Sequence, residues 1–272
     1  MVESVAVFGV PSVRVRIVWS DRLDVSSNLG VQANDGGSMA DRVASTAATV
    51  ADERFGVTPS RIQAAELLRR LGHSFVGHDA PDELFVALYE AIGPLVERIE
   101  ASPARDRSLM SLAGMAGSSL FGESPGDGER LSHFPDCVVS GAANPMGTAI
   151  AVRRDGDDAV AEVVLGAAFE GAPGRAHGGV VAAIFDDVMG YQLSILKVPA
   201  FTGRIEITYR APTPIGAPLV FRARVHAREE RKLHMSASAH TDDGRVLIAE
   251  ATATFIIIPL ERFVPGSAEV SE

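Results

Sequence analysis

His177-Gly178-Gly179-Val180-Val181-Ala182-Ala183-Ile184-Phe185-Asp186 is the stretch on which the reading of this chain turns. Two glycines open a helix, and a carboxylate stands inside an otherwise apolar run. From Val180 to Leu196, Ala, Ile, Phe, Val, Met and Leu recur on nearly every side of a helical wheel, which predicts a helix buried all round. Polar side chains inside such a helix need a reason. Asp186 and Asp187 are consecutive, about 100° apart on the wheel, so one can be paired or solvated while the other points into a restricted site. Carboxylates in restricted sites have raised pKa values and serve as general bases. Gly178 and Gly179 keep side chains away from the free N–H groups of the helix start, where the dipole favours developing negative charge. That is the chemistry of an oxyanion hole.

Gly178 and Asp186 are separated by roughly 12 Å of helix rise. A base and an oxyanion donor that serve one carbonyl must both lie within a few ångströms of it. A single chain cannot bring them together, so their cooperation requires an antiparallel second copy of the helix in a symmetric dimer. Taken alone, the triplet is also a common loop-to-helix transition, and a helical Asp is more often solvated or paired than catalytic. The flanking sequence decides.

After the helix come four segments of period-two alternation. Ile205, Ile207 and Tyr209 mark the first apolar face, Phe221, Ala223 and Val225 the second, and Leu233, Met235, Ala237 and Ala239 the third. The fourth carries Leu247, Ala249, Ala251, Ala253, Phe255 and Ile257. These read as half-buried antiparallel strands. Pro212, Pro214, Gly216 and Pro218, then Arg228-Glu229-Glu230-Arg231-Lys232, then Asp242-Asp243-Gly244 punctuate them. Ahead of the helix, Thr148–Arg153 and Ala159–Leu165 flank Asp155-Gly156, a hairpin signal. Two strands, a buried helix and four strands fit an α+β fold in which one antiparallel sheet wraps around one helix.

With Phe169-Glu170-Gly171-Ala172-Pro173-Gly174 leading into the His-Gly-Gly turn, an acid nine positions after His177, and Phe201-Thr202-Gly203-Arg204-Ile205-Glu206-Ile207-Thr208-Tyr209-Arg210-Ala211-Pro212 following, residues 140 to 258 resemble the hotdog-fold acyl-CoA thioesterases of the phenylacetate-degradation and THEM-like type. Asn144-Pro145-Met146-Gly147 is similar to the lead-in of that family's first strand. The resemblance implies hydrolysis of acyl-CoA thioesters to free acid and CoA. It assigns Asp186 as the catalytic acid that activates water or attacks the thioester, Gly178 as the N–H that polarises the carbonyl, and Thr202 as the hydroxyl that orients water. His177 completes the catalytic set by positioning the loop, and Gly179 and Gly171 fall to substrate binding. Gly171 departs from relatives that carry an amide there. The alternative is a non-catalytic acyl-CoA binding or sensing protein. A hotdog dehydratase would place a catalytic His beside an acid, and this helix has no His beyond its start. There is no Gly-x-Ser-x-Gly elbow. Neither a cofactor nor a metal is expected.

The chain has 272 residues, 46% of them hydrophobic, and one Cys, Cys137, which suits a reducing, cytoplasmic setting. A net charge of −10 argues against nucleic-acid binding. Residues 147 to 262 are nearly neutral, with 13 Lys and Arg against 14 Asp and Glu, so they do not repel an anionic thioester. Arg228, Arg231 and Lys232 are candidate phosphate contacts, set against the simpler reading of a solvated hairpin tip. Apolar stretches read as too short or too interrupted to span a membrane. The expected partners are acyl-CoA and a second copy of the chain, as a homodimer or a dimer of dimers.

Residues 1–38 read as a flexible tail or over-extended start, and residues 39–130 as a helical extension and linker. Residues 131–262 form the hotdog domain and 263–272 a C-terminal tail. Thr58-Pro59 opens one helix, and Asp79 opens a second with a kink at Gly93-Pro94. Their apolar stripes call for a partner surface, either the hotdog domain or its dimer mate.

Overall fold

The computed structural model describes residues 14–19, 57–105, 124–131 and 134–259. Most of the expected N-terminal tail, residues 106–123 of the linker and the C-terminal tail lie outside the described residues. In chain order the elements are β1 (Arg14–Trp19), α1 (Pro59–Gly77), α2 (Asp82–Glu100), β2 (Arg130–Leu131), β3 (Ala151–Asp155) and β4 (Asp158–Val164). Then follow β5 (Glu170–Ala172), β6 (Arg175–Ala176), α3 (Gly178–Gly190), α4 (Gln192–Leu196), β7 (Ala200–Tyr209), β8 (Pro218–Glu229), β9 (Lys232–Thr241) and β10 (Leu247–Ile257). Eight strands form one sheet in the order β1-β7-β10-β9-β8-β4-β3-β2, while β5 and β6 make a separate ribbon leading into α3. Every neighbouring pair is antiparallel except β1 with β7.

The alternation read from sequence becomes the floor on which α3 lies. One row across the sheet pairs Ile207, Ala251, Ala237, Ala223 and Ala159, and the next pairs Tyr209, Ala249, Ala239, Phe221 and Ala161. All ten are buried. Methyl groups in the middle of each row leave a trough, and α3 packs into it against β4, β7, β8 and β9. Val181, Ile184, Phe185, Val188 and Met189 point into the trough, with the Phe185 ring edge-on to Phe221 at 5.1 Å. Burying such a side chain contributes about 1.5–3 kcal/mol.

Two expectations about this helix need correction. It is not buried all round: Val180, Ala182 and Ala183 are half-exposed and Asp186 is exposed, because the sheet covers only one side. By length and composition, Gly178–Leu196 is apolar enough to cross a membrane, contrary to the reading of short, interrupted stretches. Here its most apolar face is spent on the sheet, and α3 and α4 are separate helices with Tyr191 between them.

The helical extension docks through α1. Thr58 caps it by accepting from Arg61 N at 3.2 Å, with Pro59 at the first helical position. Ile62 and Ala65 bury against the 134–149 loop, beside Ala142 and Ala143. Arg69 donates to the carbonyls of Ala142 (3.0 Å) and Asn144 (2.7 Å), and His73 accepts from Ala168 N at 3.1 Å. α2 begins at Asp82 rather than Asp79 and continues through Pro94. It buries none of its residues; Phe85 meets Phe75 of α1, while Leu84, Tyr89, Leu95 and Ile99 stay exposed.

For Arg14–Trp19, β1 departs from the tail expected over residues 1–38. Arg14 to Trp19 run parallel to Arg204 to Tyr209, each residue in register. The alternating Arg-Val-Arg-Ile-Val-Trp was legible as strand, but a single six-residue strand far from its partner gives no sequence signal of what it pairs with. A chain starting at Met39 should therefore lose the β1 ladder. Amide exchange across Arg204–Tyr209 is expected to accelerate and the melting temperature to fall; unchanged protection of β7 would show that β1 is dispensable.

Candidate active site

Two points of α3, its start and a residue one turn before its end, are tied to β7 by hydroxyl groups. At the helix start, Tyr209 Oη donates to the Gly178 carbonyl at 2.5 Å. Tyr209 is buried, and the loss of solvent pushes its pKa up to about 12, so it stays a donor. Eight residues along, Thr202 Oγ1 donates to Asp186 Oδ1 at 2.7 Å.

Thr202 reaches the helix only because β7 is irregular. Ile205, Ile207 and Tyr209 face inward, so strict alternation would turn residue 202 outward. The pairing slips here: Arg204 opposes Thr254 and Thr202 opposes Phe255, which leaves Gly203 as an extra residue. This bulge reverses the parity and puts Thr202 on the side of buried Phe255, toward α3. A side chain at 203 would come within 2.9 Å of Ile256 Cγ1.

The two neighbouring acids divide their surroundings. Asp186 is exposed as a residue, yet protein around its carboxyl desolvates it enough to raise its pKa, an effect the Thr202 hydrogen bond partly offsets. Asp187 turns toward the 134–149 loop. Cys137 Sγ donates to its Oδ1 at 3.2 Å, and its Oδ2 is buried without a hydrogen-bond partner. Desolvation raises the pKa of Asp187 as well; the Ser140 and Cys137 side chains oppose this, and the charge of Asp186 adds to it. Burial and the Asp187 charge hold the Cys137 thiol up in turn. Asp186 thus meets a hydroxyl at an open surface, and Asp187 braces a loop.

His177 caps α3, with Nδ1 accepting from Gly179 N at 2.9 Å. That use of Nδ1 leaves the proton on Nε2 and fits a positioning role. The glycines on either side are set by this ring. A Cβ on Gly179 would come within 2.9 Å of His177 Nδ1, and one on Gly171 within 2.7 Å of His177 Cα. A side chain at 171 therefore has no room here, because β5 packs closely on the turn. Gly171, His177, Gly178 and Tyr209 line one cavity of about 310 Å³ together with Ala172, Arg175 and Thr213. Gly179 is beside it on the turn.

The structure therefore brings Asp186 to Thr202, and Gly178 to His177 and Gly171, but holds the two groups at opposite ends of the helix, roughly 12 Å apart along its axis. Tyr209, Arg175 and Cys137 went unnoticed as site residues in the sequence. Tyr209 alone carried a usable signal, since a buried Tyr hydroxyl in an apolar row needs a partner. Arg228 and Lys232 stay at an exposed hairpin tip, and Arg231 donates to the Ile257 carbonyl. Among the described residues, no His, Cys, Asp and Glu group could hold a metal ion.

Such a helix in a wrapped sheet defines the hotdog fold. The likeness to a crystal structure of a thioesterase superfamily protein shows the same fold: TM-score 0.59 at 20% identity, covering 72% of this chain and 90% of that one. Residues 173–248 match the family model of the thioesterase superfamily. The chain is 36% identical over 93 residues to acyl-coenzyme A thioesterase THEM4 of Mus musculus, covering 34% of this chain and 40% of that protein. It is 30% identical over 100 residues to acyl-coenzyme A thioesterase THEM5 of Homo sapiens, covering 37% and 40%. It thus spans about two fifths of the length of these curated relatives.

The bracing role of Asp187 has a pH signature. A carboxyl whose folded pKa is raised contributes most stability below its unfolded value of about 4 and loses it as pH rises through the folded value. Asp187→Asn removes the buried charge while keeping an acceptor for Cys137. Urea unfolding from pH 4 to 8 should show the wild type losing stability relative to Asp187→Asn as pH rises; parallel curves would mean that this carboxyl is not desolvated.

Proposed function

We propose that the protein hydrolyses acyl-CoA thioesters, with Asp186 as general base. The observation that carries the reading is the 2.7 Å hydrogen bond between Thr202 and Asp186, in a domain of the thioesterase superfamily. Because the Thr202 hydroxyl spends its proton on Asp186 Oδ1, its oxygen is left to accept from a water. That water hands its other proton to the free Asp186 oxygen and attacks the thioester carbon. Negative charge builds on the carbonyl oxygen at the Gly178 N–H and the helix start. The C–S bond then breaks, and the thiolate leaves with the proton held by Asp186. Water adds across the thioester; free acid and thiol result.

Asp186→Asn preserves size but not the base, so hydrolysis should fall by at least ~10² while acyl-CoA binding persists. The base works deprotonated, so its raised pKa sets the acid limb of kcat/KM above the usual carboxylate range. Thr202→Val removes the hydrogen bond that lowers this pKa, and the limb should move to higher pH as kcat drops. A limb that stays in place would detach Asp186 from the rate. A protein that binds acyl-CoA yet releases no CoA from short, medium, long or aromatic esters is instead a sensing module.

The same reading requires a homodimer, in which Asp186 of one protomer faces Gly178 of its partner. Gly178→Pro deletes the N–H donor, and His177 already has the extended conformation (φ −64°, ψ 131°) that a following proline needs. Mixing inactive Gly178→Pro and Asp186→Asn chains should restore about a quarter of the activity, since half of randomly paired dimers have one intact site of two. No recovery in verified mixed dimers would rule out a shared site.

A further inference from the structure

The cavity at the start of α3 holds a charge that the hydrolytic chemistry does not use. It is lined by glycine, alanine, proline, Thr213, Tyr209, His177 and Arg175, with no acidic residue among them. The polar groups around the turn are already committed: Tyr209 Oη to the Gly178 carbonyl, His177 Nδ1 to Gly179 N. Glu170, the nearest acid on the β5–β6 ribbon, accepts from Gly174 N with its Oε1. Arg175 is half-buried and has neither ion pair nor hydrogen bond among the described residues, whereas Arg222 and Arg224 pair with Asp158 and Arg210 with Glu250. A guanidinium with no partner beside a cavity that has no acid in its lining is free to take an anion, and its planar fork suits carboxylate or phosphate.

We propose that Arg175 makes this cavity the subsite for a negatively charged group of the thioester ligand. The inference rests on the thioester reading of the site and names what that ligand must carry. Two parts of such a ligand have the chemistry: a carboxylate at the far end of the acyl chain, or a phosphate of the CoA carrier. A cavity of about 310 Å³ takes one such group and not the whole carrier.

Four esters separate the sources: butyryl and succinyl thioesters, each made on CoA and on N-acetylcysteamine, which has no phosphate. Wild type and Arg175→Gln are compared by kcat/KM, with Arg130→Gln, an exposed arginine of β2, as a charge control. Loss of a charge-assisted hydrogen bond corresponds to about a tenfold or larger change. If Arg175 holds the acyl carboxylate, Arg175→Gln lowers the succinyl-over-butyryl ratio at least ~10-fold on both carriers. If it holds a carrier phosphate, the CoA-over-N-acetylcysteamine ratio falls by that factor for both acyl groups. Unchanged ratios, or an equal loss on all four esters, overturn the proposal. Where the wild type cleaves none of the four, the hydrolytic reading fails by itself, and calorimetric Kd values for butyryl-CoA and succinyl-CoA and for the free thiols decide. A ~10-fold weakening confined to the charged partner of a pair upholds the subsite, and equal Kd values for wild type and Arg175→Gln overturn it.

Discussion

Everything in this domain depends on how closely one helix can approach one sheet. Ile207, Ala251, Ala237, Ala223 and Ala159 stand in a single row under α3, so four of five neighbouring strands present nothing larger than a methyl group there. Larger side chains on the helix, Phe185 and Met189 above all, fill the depth that those alanines leave. Reversing the arrangement, with bulk on the sheet and alanine on the helix, would conserve volume but lift the helix away from Thr202 and Tyr209. The alanine floor is therefore more than a packing solution, because the hydrogen bonds that hold Asp186 and the Gly178 turn have little reach.

The helix gains apolar contact from one side only, and polar demands collect on the other. Asp187 is sealed against the 134–149 loop, where Cys137 meets it; Asp186, one position earlier, opens outward. A rotation of about 100° between consecutive residues is what separates a carboxylate that braces a loop from one that opens to the surface. The loop that Asp187 braces is the same loop on which α1 rests through Ile62 and Arg69. The helical extension and α3 are in this way joined through one half-buried acid.

Much of this was legible in the sequence because burial has a period. The four strands after α3 and the hairpin before it appear in the sheet, as do the inward faces named from alternation except at Leu247, where a register shift buries Ile248 instead, and the resemblance pointed to the pair Asp186 and Thr202. Periodicity alone would have placed Thr202 on the wrong face. Only the bulge at Gly203 turns it inward, and a bulge is a property of two strands in register that neither strand announces by itself. Gly171 looked like a missing donor, whereas its spacing to His177 shows a turn packed too tightly for any side chain. Arg175 was invisible for a third reason: a charge becomes informative only when its surroundings lack the opposite one. β1 escaped because its partner lies far along the chain.

That last separation bears on how the protein comes into being. β1 leaves the ribosome roughly 190 residues before Arg204, the residue that Arg14 pairs with. At about 5–20 residues per second, the strand waits on the order of 10–40 s for its neighbour to be made. Throughout that interval it is a short β-forming segment with both edges unsatisfied, and its alternating arginines are the kind of charge that keeps such a segment from pairing with another chain. The meander from β7 to β10, built from adjacent hairpins, can close first. β1 then joins the sheet by a parallel addition whose loop-closure entropy is the largest among the described strand pairs.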